Sequence, residues 1–506
     1  MNDEYIMPSP VSDVPAEEKR DIFSLTDSIF ALIFTFSGFF FLKTILTSRV
    51  GIGTALFLLI LAAASMVYVR MTKSKQSGKS IVLFVGTIVY SANLAVTSNG
   101  LIQALDFIFA VILYAVWAFS VNNDFYRGAD DYTVYRIAKA VFGQSFGNMG
   151  KCPSAVVSLM KKSKGGKNIG NAVIGLIIAI PCTLIVALLL ASADDNFDRL
   201  LGKITDNFFS DFFVDVLKYA VMLPLSFLIF GIIFAAVKGS KNRLDTENCD
   251  KVTASMKIAP AVVMYSSVVP VCILYVLFFF SQISYFLSAF GGILPEGFSA
   301  AEYARQGFFE LCAVSVINLS IIIAINLMCK TGENGERPKL LKFFTSLISC
   351  FTIVLIATAL SKMIMYISRF GMTCLRFYTS WFMVILAVLF VLIVIRQFKS
   401  INLAKIGTII FTVMFSLLSL LPTDALIARY NIYAYEHLGT DFDKSYFYEL
   451  SEEASYNIPY MLESGDELLI SAANHSIESG HAYYSKEWYE MTVSEYIAKN
   501  ICDNCK

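Results

Sequence analysis

The chain has 506 residues, 56% hydrophobic and 16% charged, with mean hydropathy +0.63 and no formal net charge. Soluble domains carry about 25% charged residues, so this composition excludes an ordinary soluble globular protein. Basic residues sit in short stretches between long apolar runs, which leaves no nucleic-acid-binding signature and no expected nucleic-acid partner.

Residues 1–27 are polar and acidic, and no short apolar run precedes a cleavage site. The first apolar stretch is therefore expected to act as the targeting signal itself. Crossing the hydrocarbon layer takes about 20 apolar residues. Eleven stretches meet that length: 28–47, 50–69, 80–97, 101–121, 169–191, 214–237, 258–288, 308–328, 343–367, 374–396 and 403–422. The seventh is too long for one straight helix, and Pro260 and Pro270 predict a kink or a broken entry turn there. Lys43, late in the first span, and Asp106, early in the fourth, are isolated ionisable residues expected to snorkel to the interface. The scarcity of acids at mid-membrane argues against a proton-driven pump.

The connections sort by charge. Segments 70–79, 122–168, 238–257, 329–342 and 396–405 hold twenty-four Lys and Arg, and the alternate connections hold six. The positive-inside rule places the first set in the cytoplasm, with the N-terminus. An odd number of spans then puts residues 423–506 outside. In the long inner connection, Val134, Tyr135, Ile137, Ala138, Val141 and Phe142 interleave with Arg136 and Lys139, a pattern that fits either a helix lying in the interface or a solvated loop helix. Asp194-Asp195, after the fifth span, reads as a solvated loop in preference to an acid–base or metal site.

The final 84 residues carry fifteen acids against five bases. Local helical patterning (Ser451-Glu452-Glu453-Ala454 before Ile458, Met461 and Leu462; then Trp488, Met491, Val493, Tyr496 and Ile497) predicts a small helical cap. The expected architecture is all-α: a polar cytoplasmic tail at 1–27, a polytopic transmembrane helical bundle of about 11 spans at 28–422, and an acidic extracytoplasmic helical cap at 423–506.

Several local patterns carry a family resemblance. They are Leu190-Ala-Ser-Ala-Asp194, Glu302-Tyr-Ala-Arg-Gln-Gly-Phe-Phe-Glu310-Leu, Ser361-Lys362 through Arg369-Phe-Gly-Met-Thr-Cys-Leu-Arg376, Ala428-Arg-Tyr-Asn431, and Asp443-Lys-Ser-Tyr-Phe-Tyr-Glu-Leu-Ser451. With these, the chain resembles a bacterial multi-pass membrane family catalogued as domain of unknown function 4173, related to its sibling 4153. The resemblance runs from about the fourth span to about residue 465. It implies a bacterial cytoplasmic-membrane location and a helical architecture, and no particular chemistry.

Under the topology above, these stretches fall at or near the outer membrane surface. Lys362 and Arg369 are seven residues apart, hence on one helical face, with Tyr366 between them. Gly371 permits a tight turn into the tenth span, from which Arg376 returns to the same place. Arg305, Lys362, Arg369 and Arg376 thus converge on Glu302 and Glu310. Arginine grips planar anions in bidentate fashion, so the expected ligand is an anionic lipid headgroup, a phosphate or a carboxylate, and the expected partners are membrane lipids. Three readings compete with a ligand site. Asp441, Asp443 or Glu449 can pair with the cations and dock the cap. A membrane enzyme acting on a lipid-linked substrate would draw on Asp194, Asp195 or Glu310, although the first outer connection, Thr47-Ser-Arg-Val50, lacks the acid that many integral-membrane glycosyltransferases use. A sensor or assembly partner would signal through 122–168 to a protein of unspecified identity.

No cofactor or metal is expected. Gly78-Lys79-Ser80 looks like the end of a phosphate loop, but Lys73 stands where the first glycine belongs. Cys502 and Cys505, with His437, His475 and His481 in the same tail, read as an inert terminus, a disulfide or redox pair, or a zinc site, the first being preferred.

Overall fold

The computed structural model describes residues 23–121, 133–161, 211–238, 254–291, 308–330, 338–479 and 486–505, with isolated positions between 175 and 199. Regular structure among them is helical, apart from one isolated bridge between Ala259 and Cys329. Helices start where short polar side chains satisfy the first free N–H groups. Ser24 and Asp27 form a capping box on α1 (Leu25–Phe41). Asn99 accepts from Leu101 and Ile102 at the start of α4 (Gly100–Ser120), and Ser77 caps α3 (Gly78–Asn93). The α2 helix spans Ile52–Met71.

Eight helices among the described residues are long and apolar enough to cross a membrane. They are α1 with its π-helical extension to Ile45, α2, α4, α9 (Ala261–Gly291), α10 (Phe308–Met328), α11 (Lys339–Phe370), α12 (Cys374–Phe398) and α13 (Leu403–Leu420). The third expected span is the 16-residue α3, and the sixth is the apolar part, Met222–Lys238, of α8 (Asp211–Lys238). The fifth, 169–191, lies outside the described residues save single positions. As the long seventh stretch suggests, α9 carries Pro270 in its interior. The protein is an all-α bundle of apolar helices that suit a membrane.

One apolar cluster joins α1–α4 with α8, around Phe34, Tyr68, Trp117 and Phe230. A second joins α9–α12, around Ile348, Ile356, Met383 and Phe390. The α13 helix links the two halves, stacking Phe415 on Tyr90 and meeting Phe109 edge to face. The two ends of the bundle differ. At one end, Lys238 pairs with buried Asp27 at 2.8 Å, and Tyr68 donates to the same carboxylate at 2.8 Å. We call this the basic end. At the opposite, capped end, the chain terminus folds over the connections. Ile52 N–H donates to Met491 (3.0 Å), Gly53 to Tyr489 (2.7 Å), Val493 to Ala95 (2.7 Å) and Ser494 to Val96 (3.0 Å). Gly51 is required there, because a Cβ would lie 2.6 Å from the Glu490 carbonyl oxygen.

The cap comprises α14 (Thr423–Leu438), α15 (Lys444–Glu449), a 3₁₀ turn (Glu452–Asn457), α16 (Ile458–Glu463), α17 (Glu467–Ser479) and α18 (Val493–Asn504). It has its own core of Ile432, Phe447, Ile458, Met461, Leu469 and Cys502.

The inner connection departs from expectation. Instead of an interfacial or solvated helix, residues 133–161 form a hairpin inserted among the membrane helices. It runs through α5 (Thr133–Ala138), a π-helical turn (Lys139–Gln144), α6 (Ser145–Asn148) and α7 (Lys151–Lys161). Ala140 and Cys152 are fully buried. The Cys152 thiol reaches the Ala31 carbonyl and the Thr35 hydroxyl, both at 3.6 Å. Those positions lie six and ten residues into α1, about 9 and 15 Å along its axis. Asn148 abuts Gly231, about 10 Å from the basic end of α8. The chain then returns, and Ser158 bonds Ser28 at 3.0 Å. Non-helical backbone at such depth is tolerated because it is enclosed by protein.

Candidate functional site

At 32 residues, α11 is about 48 Å long, well beyond the ~30 Å hydrocarbon layer. Lys362 stands 20 residues past Lys342, about 30 Å along the axis, and Lys362 to Phe370 form the last turns of the helix, at the capped end. Gly371 ends the helix in the left-handed region at φ +74°. Asn431 of α14 clamps this turn from above. Its Oδ1 accepts the Met372 N–H at 2.6 Å, and its Nδ2 donates to the Met372 carbonyl at 2.9 Å. Thr373 then caps α12 by accepting from the Arg376 N–H. The Arg376 side chain turns back, donating from Nη1 to the Phe370 and Gly371 carbonyls at 2.9 and 2.5 Å. Its guanidinium carbon lies 4.0 Å above the Tyr366 ring, a cation–π contact. A cation on the last carbonyls also suits the negative end of the α11 dipole.

The structure therefore brings Tyr366 and Arg376 together. Glu310, exposed in the first turn of α10, is near enough for its charge to act on half-buried Lys362. Arg369 is exposed and has no ion-pair partner among the described residues. Arg305 and Glu302 lie outside the described residues. Lys362, Tyr366 with Arg376 stacked on it, and Arg369 form one stripe, with Glu310 the described acid beside it.

The pairing of this stripe with tail acids does not occur among the described residues. Asp443 caps α15 instead, accepting from Tyr446 N–H and the Ser445 hydroxyl, and the hydroxyl bond chiefly holds its carboxyl below the usual value. Asp441 and Glu449 are exposed. Arg429 lies on the Tyr460 ring at 3.8 Å, within the cap.

Other residues dock the cap. Asp424, 2% exposed, accepts from Asn99 Nδ2 at 3.0 Å to each oxygen, from Ser451 N–H at 2.9 Å and from the Cys374 thiol at 3.3 Å. The Tyr446 hydroxyl accepts the Cys374 N–H at 2.5 Å. Glu453, also 2% exposed, accepts from the Thr97 hydroxyl at 2.7 Å, while its Oε2 has no hydrogen-bond partner among the described residues. Burial, and in the same sense the Asp424 charge, pushes the Glu453 carboxyl above the usual value. Buried acids resting on neutral donors thus join cap to bundle. The polar triplet Thr97-Ser98-Asn99 between two spans was the available signal for them.

Asp106 does not snorkel. It is fully buried, accepting from Asn93 Nδ2 and the Ser419 hydroxyl, both at 2.6 Å. The neighbouring helices supply donors, which removes any need to reach water. Lys43 is exposed. Asp194 caps its own turn, accepting from Asn196 and Phe197 N–H. Cys502 and Cys505 are free thiols at the end of α18, Cys502 packed in the cap core. His437 stacks on Tyr433 and His475 packs at a tilt against Tyr448, while His481 lies outside the described residues. Among the described residues, no three His, Cys, Asp or Glu side chains are grouped to hold a metal.

No curated protein and no solved structure matches the chain. A family model, that of a domain of unknown function (DUF4153), matches residues 81–458, from α3 through the 3₁₀ turn that carries Glu453. The match is to the sibling 4153 rather than to 4173. It contains the α11–α12 turn, Asn431, Asp424 and the hairpin, and it covers about three quarters of the sequence, so the chain belongs to the DUF4153 family.

Proposed function

We propose that this protein sits in a bacterial cytoplasmic membrane with its cap outside, and binds or moves an anionic lipid or solute at the capped face. The sorted Lys and Arg residues support the orientation, because the segments richest in them neighbour the end marked by Asp27 and Lys238. The observation that carries the binding reading is the stripe itself. Arg369 is exposed at the capped end, on one helical face with Lys362 and with Arg376 on Tyr366. Arg376 uses only Nη1 on the backbone, so Nε and Nη2 have no hydrogen-bond partner among the described residues. Among the described residues, three cations stand beside one acid, an excess that attracts a phosphate group.

Native mass spectrometry of the purified protein with phosphatidylglycerol and phosphatidylcholine tests this. The anionic lipid is retained preferentially, and Lys362→Met with Arg369→Ala weakens it at least tenfold, the equivalent of about 1.4 kcal/mol, without changing phosphatidylcholine retention. Competition by inorganic phosphate marks a solute site, and its absence a lipid site. Equal retention by variant and wild type contradicts the proposal.

A further inference from the structure

Away from the cation stripe, an apolar cavity of about 290 Å³ lies between α1–α4, α8 and the inserted hairpin. Its walls include Phe107 to Ala115 of α4 and Leu225 to Ile232 of α8. Phe107 is seven residues from the capped end of α4, and Ala115 five from its basic end. Ile232 and Leu225 are six and thirteen residues from the basic end of α8. At about 1.5 Å per residue, the walls on both helices lie roughly 8–20 Å in from the nearer helix end, within the hydrocarbon depth of a bilayer. Among the described residues, no ionisable side chain except the Tyr114 phenol lines the cavity, and that hydroxyl is bonded to Ser65 at 2.8 Å. At the rim, Phe142 and Phe146 stand one turn apart on the hairpin, 63% and 64% exposed, and Val111 of α4 is 39% exposed.

We infer that this cavity holds the acyl chain of a membrane phospholipid, entering sideways between the hairpin and α4. Apolar cavities of ~150 Å³ stay dry and take up hydrocarbon, and this one is larger. Unfilled, its lining loses dispersion contacts outright. At this depth the medium against an open rim is lipid chain, which is the occupant available. The hairpin supplies the wall carrying Val141, Phe142, Ser145 and Phe146, so its irregular π-helical turn becomes the lip of a lipid-tail slot. The inference does not depend on the stripe, which lies on α11 and α12.

The test uses the full chain in phosphatidylcholine vesicles doped with a phospholipid bearing a diazirine at mid-chain, with mapping of the photo-adducts. Adducts concentrate on peptides containing 107–115 and 225–232, at least fivefold over Val82 and Val85, two exposed positions of α3. A diazirine beside the glycerol leaves these peptides at background. Val111→Trp, which closes the rim, removes the cavity adducts and spares Val82 and Val85. Uniform labelling along all lipid-facing helices overturns the inference, as do equal yields from the two probes or cavity adducts unchanged by Val111→Trp. Protein–protein cross-links at 142–146 in place of lipid adducts would also overturn it, by making the occupant a second copy.

Discussion

Substituting Gly371 by Ala probes how the α11–α12 turn is tied to the cap. The added Cβ meets two independent obstacles. At φ +74° and ψ 177°, a region essentially reserved for glycine, an L-residue is strained by about 1–3 kcal/mol. The new carbon also falls 2.9 Å from Asn431 Oδ1, so the amide must withdraw from Met372 and lose two hydrogen bonds, each worth about 0.5–1.5 kcal/mol. Gly371→Ala should therefore destabilise cap docking by about 2–6 kcal/mol. Asn431→Ala alone should cost about 1–3 kcal/mol. In that background the collision is gone, and Gly371→Ala should cost only the backbone strain of about 1–3 kcal/mol. Amide hydrogen exchange of residues 423–479 in nanodiscs reads docking without requiring global unfolding. A neutral Gly371→Ala, or an equal cost in both backgrounds, refutes the clamp.

Three further outcomes follow from the buried acids. Because Glu453 holds its proton above the usual value, the docked cap binds a proton that the undocked chain has released; docking is strongest at pH below the ordinary Glu value of 4.5 and weakens as pH rises through the elevated one. Exchange protection of Val493–Asn504 should accordingly fall as pH rises, and Glu453→Gln should flatten that slope and raise protection at neutral pH; an unchanged slope refutes the assignment. Asp106→Asn, which keeps an acceptor for Asn93 and can donate to Ser419, should shift the detergent-solubilised unfolding midpoint little, whereas Asp106→Leu should cost about 1–3 kcal/mol; equal losses would mean that the charge is what matters. Tyr68→Phe removes a donor from buried Asp27 and should cost about 1–3 kcal/mol, more than Lys238→Met, whose ammonium is 41% exposed and screened; the reverse order in the same unfolding assay contradicts this.

The membrane helices were legible because hydropathy over some twenty residues is a local property. The Gly371 turn was legible too, since a glycine between two spans with Arg376 five residues on permits few paths, and Arg376 does come back onto Tyr366. The hairpin was not. Arg136 and Lys139 gave it an amphipathic look, and its apolar residues are spread over pieces too short to span. Its burial depends on Ala31, Thr35 and Gly231, far away in sequence. Cap docking misled for a related reason. A tail with ten acids in excess invites pairing with cations, yet the acids that matter, Asp424 and Glu453, are buried against Asn99 and Thr97, more than 300 residues away. Charge counts along a chain do not reveal which acids meet neutral donors.

The claim beneath the proposed function is that the capped end, with its stripe of cations, faces outward. In a variant lacking the native cysteines, single cysteines at Trp488 in the cap and Lys75 at the basic end, both exposed, can be treated with an impermeant maleimide on intact bacterial cells. Labelling at 488 in intact cells, with 75 reacting only after lysis, is the predicted result. Labelling at 75 with 488 protected would place the stripe on the cytoplasmic side and contradict the account.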